Sequence, residues 1–258
     1  MASIERSSIA ILAVAAAAII GMIWVDPIPQ DPAYHAFADT RKMADVANAW
    51  NVLSNLPFLA VGVYGLATLR RLASPQLRTH YLVLTAGVTL VALGSAWYHL
   101  DPSTRTLVWD RLPMTVAFMA LFTGVIADRF NWVAGRALLW PSVAAGVASI
   151  AWWLRTELMG AGDLRFYALV QFLLMLLIPL MLLLRPGQWL RAPWLWAGLA
   201  AYLAAKLAEY FDAAIYSGLG FVSGHSLKHL LAALACAWVL HAFHTPPTKG
   251  VTKGDAPL

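Results

Sequence analysis

The sequence predicts an all-α, polytopic transmembrane helix bundle of eight spans. Three observations carry that prediction. Of the 258 residues, 60% are hydrophobic and only 12% charged, with a mean hydropathy of +0.67, whereas a soluble domain carries roughly a quarter charged residues. Apolar runs near the ~20 residues that cross a hydrocarbon core recur along the whole chain. Those runs are continuous and do not alternate with period 2, which excludes a β-barrel.

The first span covers about residues 8–25, with Arg6 ahead of it. Its apolar length of about 17 residues exceeds the usual core of a secretion signal, and "MIWVDP" offers no small-residue cleavage site, so a retained helix is favoured. Segment 26–48 is the one long connection. Further spans are read at about 50–70, 80–100, 111–128, 135–154, 166–184, 194–216 and 225–243, joined by short loops. The tail "TPPTKGVTKGDAPL" combines Pro, Gly and Lys without periodicity and reads as disordered. The chain thus divides into a transmembrane helix at 1–25, one membrane domain at 26–244, and a disordered tail at 245–258. No internal repeat is visible.

The net charge is +5. Its Lys and Arg residues are scattered over short loops as topology signals, and no basic patch with interleaved aromatics points to a nucleic-acid partner. With the N-terminus inside, the inner segments hold Arg6, Arg70, Arg71, Arg78, Arg129, Arg136, Arg185, Arg191, Lys249 and Lys253; the outer ones hold Arg41, Lys42, Arg105, Arg111, Arg155 and Arg165. The bias places both termini in the cytoplasm. The single Cys236 excludes an intramolecular disulfide and reads as a small core residue. Trp97, Trp109, Trp152, Trp153, Trp189, Trp194 and Trp196 sit near span ends, as an interfacial belt does.

In this topology several polar groups fall on the outer side. Ser95 and His99 close the third span ("LGSAWYHLDP"), Asp110 opens the fourth ("VWDRLPM"), and His225 and His229 open the eighth ("SGHSLKHLL"). Histidines four apart project from one helix face about 6 Å from each other, a spacing that suits two ligands of one metal. Neutral imidazole matches Zn²⁺, and a catalytic zinc takes three protein ligands plus water, so His99 is the natural third. Between the paired histidines stand Ser226, Leu227 and Lys228, and no Glu. A base must come from elsewhere, and Asp110 is the candidate to take a proton from a metal-activated water. Ser95, one turn before His99, is placed to donate to an oxyanion.

Each residue also has a plainer reading. Asp110, three residues before Pro113, suits a helix N-cap. Ser95 suits close helix packing. A lone histidine near an interface is commonly structural. The joint arrangement favours the metal site, since ionisable groups within spans are rare and functional. Lys206, Glu209 and Asp212 share a face of the seventh span, which reads as an inward Lys–Glu pair or as support for the histidines. Lys228 faces away or pairs with Glu209. His241 and His244 lie at the opposite end; His80 and His35 receive no role.

The set SxxxH at Ser95–His99, a lone Asp110 opening the next helix, and HxxxH at His225–His229 resembles the three motifs of the alkaline ceramidases. That family belongs to a superfamily of seven-helix membrane hydrolases that includes the adiponectin and progestin receptors. "NAWNVLSNLPFLAVGVYGL" (48–66) is similar to the family's first core helix, and the resemblance spans about residues 35–243, as a bacterial-type member in an inner or plasma membrane. It implies a seven-helix core with one extra N-terminal transmembrane helix. It further implies zinc held by His99, His225 and His229 toward the outer side, Asp110 acting on the zinc-activated water, and Ser95 supporting the oxyanion. The implied reaction is hydrolysis of the amide of ceramide, or a related N-acyl lipid, as membrane lipid substrate. Animal members also bind Ca²⁺ ahead of the first core helix. The corresponding stretch here, "FADTRKMADVAN", offers Asp39 and Asn48 but places Arg41 and Lys42 among them, and those cations would repel Ca²⁺. Two rival readings are a receptor or sensor with a structural zinc, which a fourth protein ligand would mark, and an ion-coupled transporter, which would show paired broken helices in two halves.

Overall fold

The computed structural model describes residues 2–245, so all of the tail beyond Thr245 lies outside the described residues. Nine helices form among them and no strand. They are α1 (Ala2–Ile23), α2 (Ala49–Arg71), α3 (Arg78–Leu100), α4 (Thr104–Arg129), α5 (Trp132–Leu158), α6 (Arg165–Leu184), α7 (Ala192–Tyr210), α8 (Asp212–Leu219) and α9 (Gly224–Ala242). The first six are long and apolar enough to cross a membrane, making the chain an integral multi-pass membrane protein. The polar residues of α7 and α9, chiefly Lys206, Glu209, His225, Lys228 and His229, dilute their hydropathy, yet the two helices pack face to face along their length.

Local chemistry explains where the helices start and stop. Ser103 caps α4 through a capping box with Thr106, Asn131 caps α5 by accepting from the Ala134 N–H, and Ser223 caps α9 by accepting from the Ser226 N–H; each satisfies an otherwise orphaned donor. The fourth span therefore begins at Thr104 and not near 111. Asp110 lies well inside it, which removes the N-cap reading. α2 breaks at Ser54–Asn55 just ahead of Pro57, which sits in the first turn of the continuing helix, where a missing N–H costs nothing. α6 carries a π-helical stretch, Leu169–Leu173, whose buried Gln171 donates to the Tyr202 hydroxyl at 2.6 Å.

α3 packs against α4, and α4 against α5, as the most extensive pairs beside α7 with α9. α1 stays outside this assembly. None of its apolar stretch is buried; it touches α6 and lends Ile11, Val14 and Ala15 to the core's edge. Trp97, Trp109, Trp140 and Trp152 are exposed as a belt requires, but Trp153 is fully buried and belongs to an internal cage described below. At the end of the bundle opposite His99, the buried Asp128–Arg129 pair holds the α6–α7 connection: one Asp128 oxygen accepts from the N–H groups of Gln188, Trp189 and Leu190.

Candidate metal centre and lipid cavity

Two helices bring His99, His225 and His229 together at the end of the bundle where α3 finishes and α9 begins. All three are buried, and their ligating atoms lie within 4.8 Å of one another. The Nε2 of His99 is 3.3 Å from the Nε2 of His225 and 3.3 Å from that of His229. The Ser54 hydroxyl donates to the Asn51 carbonyl at 3.1 Å, so it accepts from the Nδ1–H of His229 at 2.7 Å. That bond fixes the tautomer and leaves the Nε2 lone pair facing the cluster. Three imidazole nitrogens packed this closely could hold a metal ion. Among the described residues, no fourth His, Cys, Asp or Glu joins the group.

The approach of α9 is built locally. A Cβ on Gly224 would stand 2.1 Å from the Ala208 carbonyl oxygen, so only glycine lets the helix start this close to α7. Asp212 accepts from the His225 N–H at 2.7 Å and from the Ala38 N–H at 3.0 Å, tying helix start and long loop together. Ser226 donates to the Asn51 side chain at 2.9 Å. Thus Ser54, Asn51 and Asp212 support the histidines; the sequence offers that role for Asp212, as one of two readings, and not for Ser54 or Asn51. Their signal was present: a polar Asn–Ser–Asn run inside an apolar span needs partners.

Asp110 and Ser95 meet across the α3–α4 contact, with the Ser95 hydroxyl in reach of the Asp110 carboxylate. Both line a cavity of about 410 Å³ together with His229, Lys206, Glu209 and Lys228, within the size range of ligand sites. Its far end is apolar. It reaches Val239, ten residues beyond His229 on α9, a depth of about 15 Å at 1.5 Å per residue. Glu209 accepts from Lys206 at 2.6 Å, from Lys228 at 2.8 Å and from the Tyr34 hydroxyl at 3.2 Å. The Lys206–Glu209 pair and the Lys228–Glu209 pair are both formed. Cys236 lies in the cavity wall.

The loop before α2 covers the histidines. Phe37 is buried, with its ring centroid 4.8 Å from that of His99 and 4.5 Å from that of His225. Asn48 donates to the His99 carbonyl at 2.9 Å. Asp39 is engaged by Arg41 at 2.6 Å, and hydrogen bonds from Arg41 hold its carboxyl below the usual range. The two candidate calcium residues are therefore tied to an arginine and to the His99 backbone. His35, on the same loop, contacts Tyr98 and Thr104; burial first and the Arg111 cation second lower its pKa. His80 and His244 serve the opposite half, the first facing the Gly135 carbonyl and the second Tyr81.

A family model described as Ceramidase matches residues 41–187. The matched stretch contains Asn51, Ser54, Ser95, His99 and Asp110 and ends before α7. No curated protein and no solved structure matches the chain.

Proposed function

The chain belongs to the ceramidase family, and from that premise we propose that it is a zinc-dependent hydrolase of the amide bond of ceramide or a related long-chain N-acyl lipid. The observation that carries this reading is the convergence of three histidine Nε2 atoms beside a Ser–Asp pair at the polar end of an apolar cavity. Two nitrogens bound tetrahedrally to zinc at 2.0–2.1 Å stand about 3.3–3.4 Å apart, and the His99 Nε2 lies 3.3 Å from each of its partners. Two of the three nitrogen pairs thus already stand at the separation that tetrahedral zinc requires. Among the described residues no fourth protein ligand joins the group, which leaves a position for water, as in catalytic sites. When bound, zinc polarises the amide carbonyl and makes a water nucleophilic near neutral pH.

The residues of the chain do the rest. Asp110 takes the proton from the attacking water as its oxygen bonds the carbonyl carbon, then returns it to the nitrogen as the C–N bond breaks. The products are a fatty acid and a free amine. Ser95, which holds Asp110 in the resting site, swings its O–H to the developing oxyanion. The apolar end of the cavity takes the acyl chain and keeps bulk water away. The bias of Arg and Lys toward the opposite end of the bundle supports an outward-facing site with the N-terminus inside.

The test is metal analysis of the purified protein together with fatty-acid release from ceramide and N-acylethanolamine. Wild type is expected to hold about one zinc per chain and to release fatty acid. Asp110→Ala is expected to keep the metal and lose roughly 10²- to 10⁴-fold in turnover, the range of a general base. Full turnover by Asp110→Ala would refute the mechanism.

A further inference from the structure

Arg111 has no part in that reaction, and its surroundings are unusual for an arginine in a membrane protein. It follows Asp110 on α4, lines the same cavity, and is only 6% exposed. Its guanidinium carbon lies 4.6 Å from the Trp153 ring centroid, 4.9 Å from Tyr167 and 5.2 Å from Tyr34. Rings from α5, α6 and the long loop thus cage one cation. Its Nη1 is buried and makes no hydrogen bond, and none of the ion pairs formed among the described residues includes it.

Among the described residues no carboxylate forms an ion pair with it. Asp110 feels its charge only at longer range, and Glu209 serves Lys206 and Lys228. Glu157 accepts from the Gln30 N–H and the Trp153 indole. In the cavity wall, Arg111, Lys206 and Lys228 face Asp110 and Glu209, an excess of one positive charge. Aromatic faces offset part of the desolvation of a guanidinium. They do not replace an anion, and a buried charge with an unmade hydrogen bond is costly. A planar guanidinium fits carboxylate, phosphate or sulfonate through paired N–H bonds.

We propose that Arg111 is the receptor for an anionic head group, so that the substrate is an N-acyl lipid whose amine half bears an acidic group. The proposal rests on the amide-hydrolase reading and deepens it. The amide lies at Asp110, the acid lies at Arg111 one residue further along α4, and the acyl chain fills the apolar depth. Tyr34 closes the arrangement, since it forms one wall of the cage and also donates to Glu209.

N-palmitoylglycine and N-palmitoylethanolamine share chain and amide and differ in carboxylate against hydroxymethyl. Wild-type protein is expected to cleave the glycine conjugate with a kcat/KM about tenfold or more above the ethanolamine, the scale of a charge-assisted hydrogen bond. Arg111→Met keeps the length that fills the cage and removes the charge, so the ratio falls to near one whatever happens to the absolute rates. Equal cleavage by wild type, or a ratio retained in Arg111→Met, overturns the proposal. Should neither conjugate nor ceramide be cleaved, the hydrolase reading fails and thermal protection decides the head-group question. N-palmitoylglycine must then raise the wild-type Tm more than N-palmitoylethanolamine does, and equal protection overturns the proposal. The wild-type comparison stands even if the variant does not fold.

Discussion

Gly94 offers the sharpest test of how the fold sets the chemistry. It sits on α3 immediately before Ser95, against α4 at Trp109. A Cβ built there would lie 1.8 Å from the Trp109 carbonyl oxygen, 2.6 Å from its carbon and 3.4 Å from the Asp110 nitrogen. That carbonyl has no helical partner, because Pro113 four residues on has no N–H. The close approach is therefore backbone against backbone, and no side-chain rotation relieves it. Restoring ordinary contact, which begins at 3.4 Å, demands a shift of about 1.6 Å, and the atoms displaced are those next to Asp110. Misplacing a reacting group by ~1 Å costs on the order of 10²-fold in rate, while the overpacking itself costs about 1–3 kcal/mol of stability. Gly94→Ala is thus expected to lose roughly 100-fold in kcat/KM with metal content retained, because the atoms displaced beside Asp110 belong to α4, which carries none of the three histidines. Gly198→Ala is the control: its Cβ meets first the Val239 Cγ2 methyl at 2.8 Å, the end of a side chain. If Gly94→Ala turned over like wild type, or lost no more than Gly198→Ala, the link between this helix contact and the reacting pair would be wrong.

Other predictions follow from single contacts. Ser54→Ala removes the acceptor for His229 Nδ1 and is expected to weaken metal binding about 10- to 100-fold in a chelator competition; unchanged affinity would remove Ser54 from the site. Hydrogen bonds from Arg165 hold the Asp163 carboxyl at about 2, below its ordinary 3.8. A depressed carboxylate stabilises the fold fully above the ordinary value, and that contribution fades as pH falls through about 2. Asp163→Asn should therefore lower Tm at pH 7 and converge on wild type near pH 2, and a gap that persists there would contradict the assignment. Cys236, the single cysteine, lies in the cavity wall. Palmitate is expected to slow its alkylation by a maleimide, whereas an unchanged rate would separate the cavity from the path of the acyl chain.

The fold was legible because bilayer physics writes it into composition: continuous apolar runs with no polar alternation can only be helices. Each expected span overlaps a helix in the structure, the seventh (194–216) dividing at Phe211 into α7 and α8, and the histidines, Ser95 and Asp110 could be grouped by counting which helix end each occupies. What sequence could not supply was distance. The α4 start was missed because Thr104–Trp109 is mixed in polarity and its capping signal, Ser103 with Thr106, lies in a three-residue turn. Asp110 then looked like a cap when it is a buried group two turns inside. Trp153 looked like part of an interfacial belt, since rotation about a helix axis is invisible without its neighbours. For Asp212 the sequence leaves a support of the histidines as one reading of two, and only the structure sets Ala38 and His225 on its two oxygens.

The long loop before α2 explains why the site opens as it does. A segment of this length in a compact membrane protein is functional more often than idle, and here nearly every polar turn of it is spent on the site. Tyr34 reaches Glu209, Ala38 reaches Asp212, the Asp39 carbonyl accepts from Asn51, and Asn48 holds the end of α3. Phe37 lies over His99 and His225, which are absent from the cavity wall, whereas His229, Ser95 and Asp110 form part of it. Water-facing groups at the helix ends are thus consumed by the loop from above. The groups left free face inward, toward a chamber whose deeper walls are hydrocarbon. Such a site suits a substrate that is apolar at one end and meets its chemistry at the polar boundary, which is where an amide between an acyl chain and a head group resides.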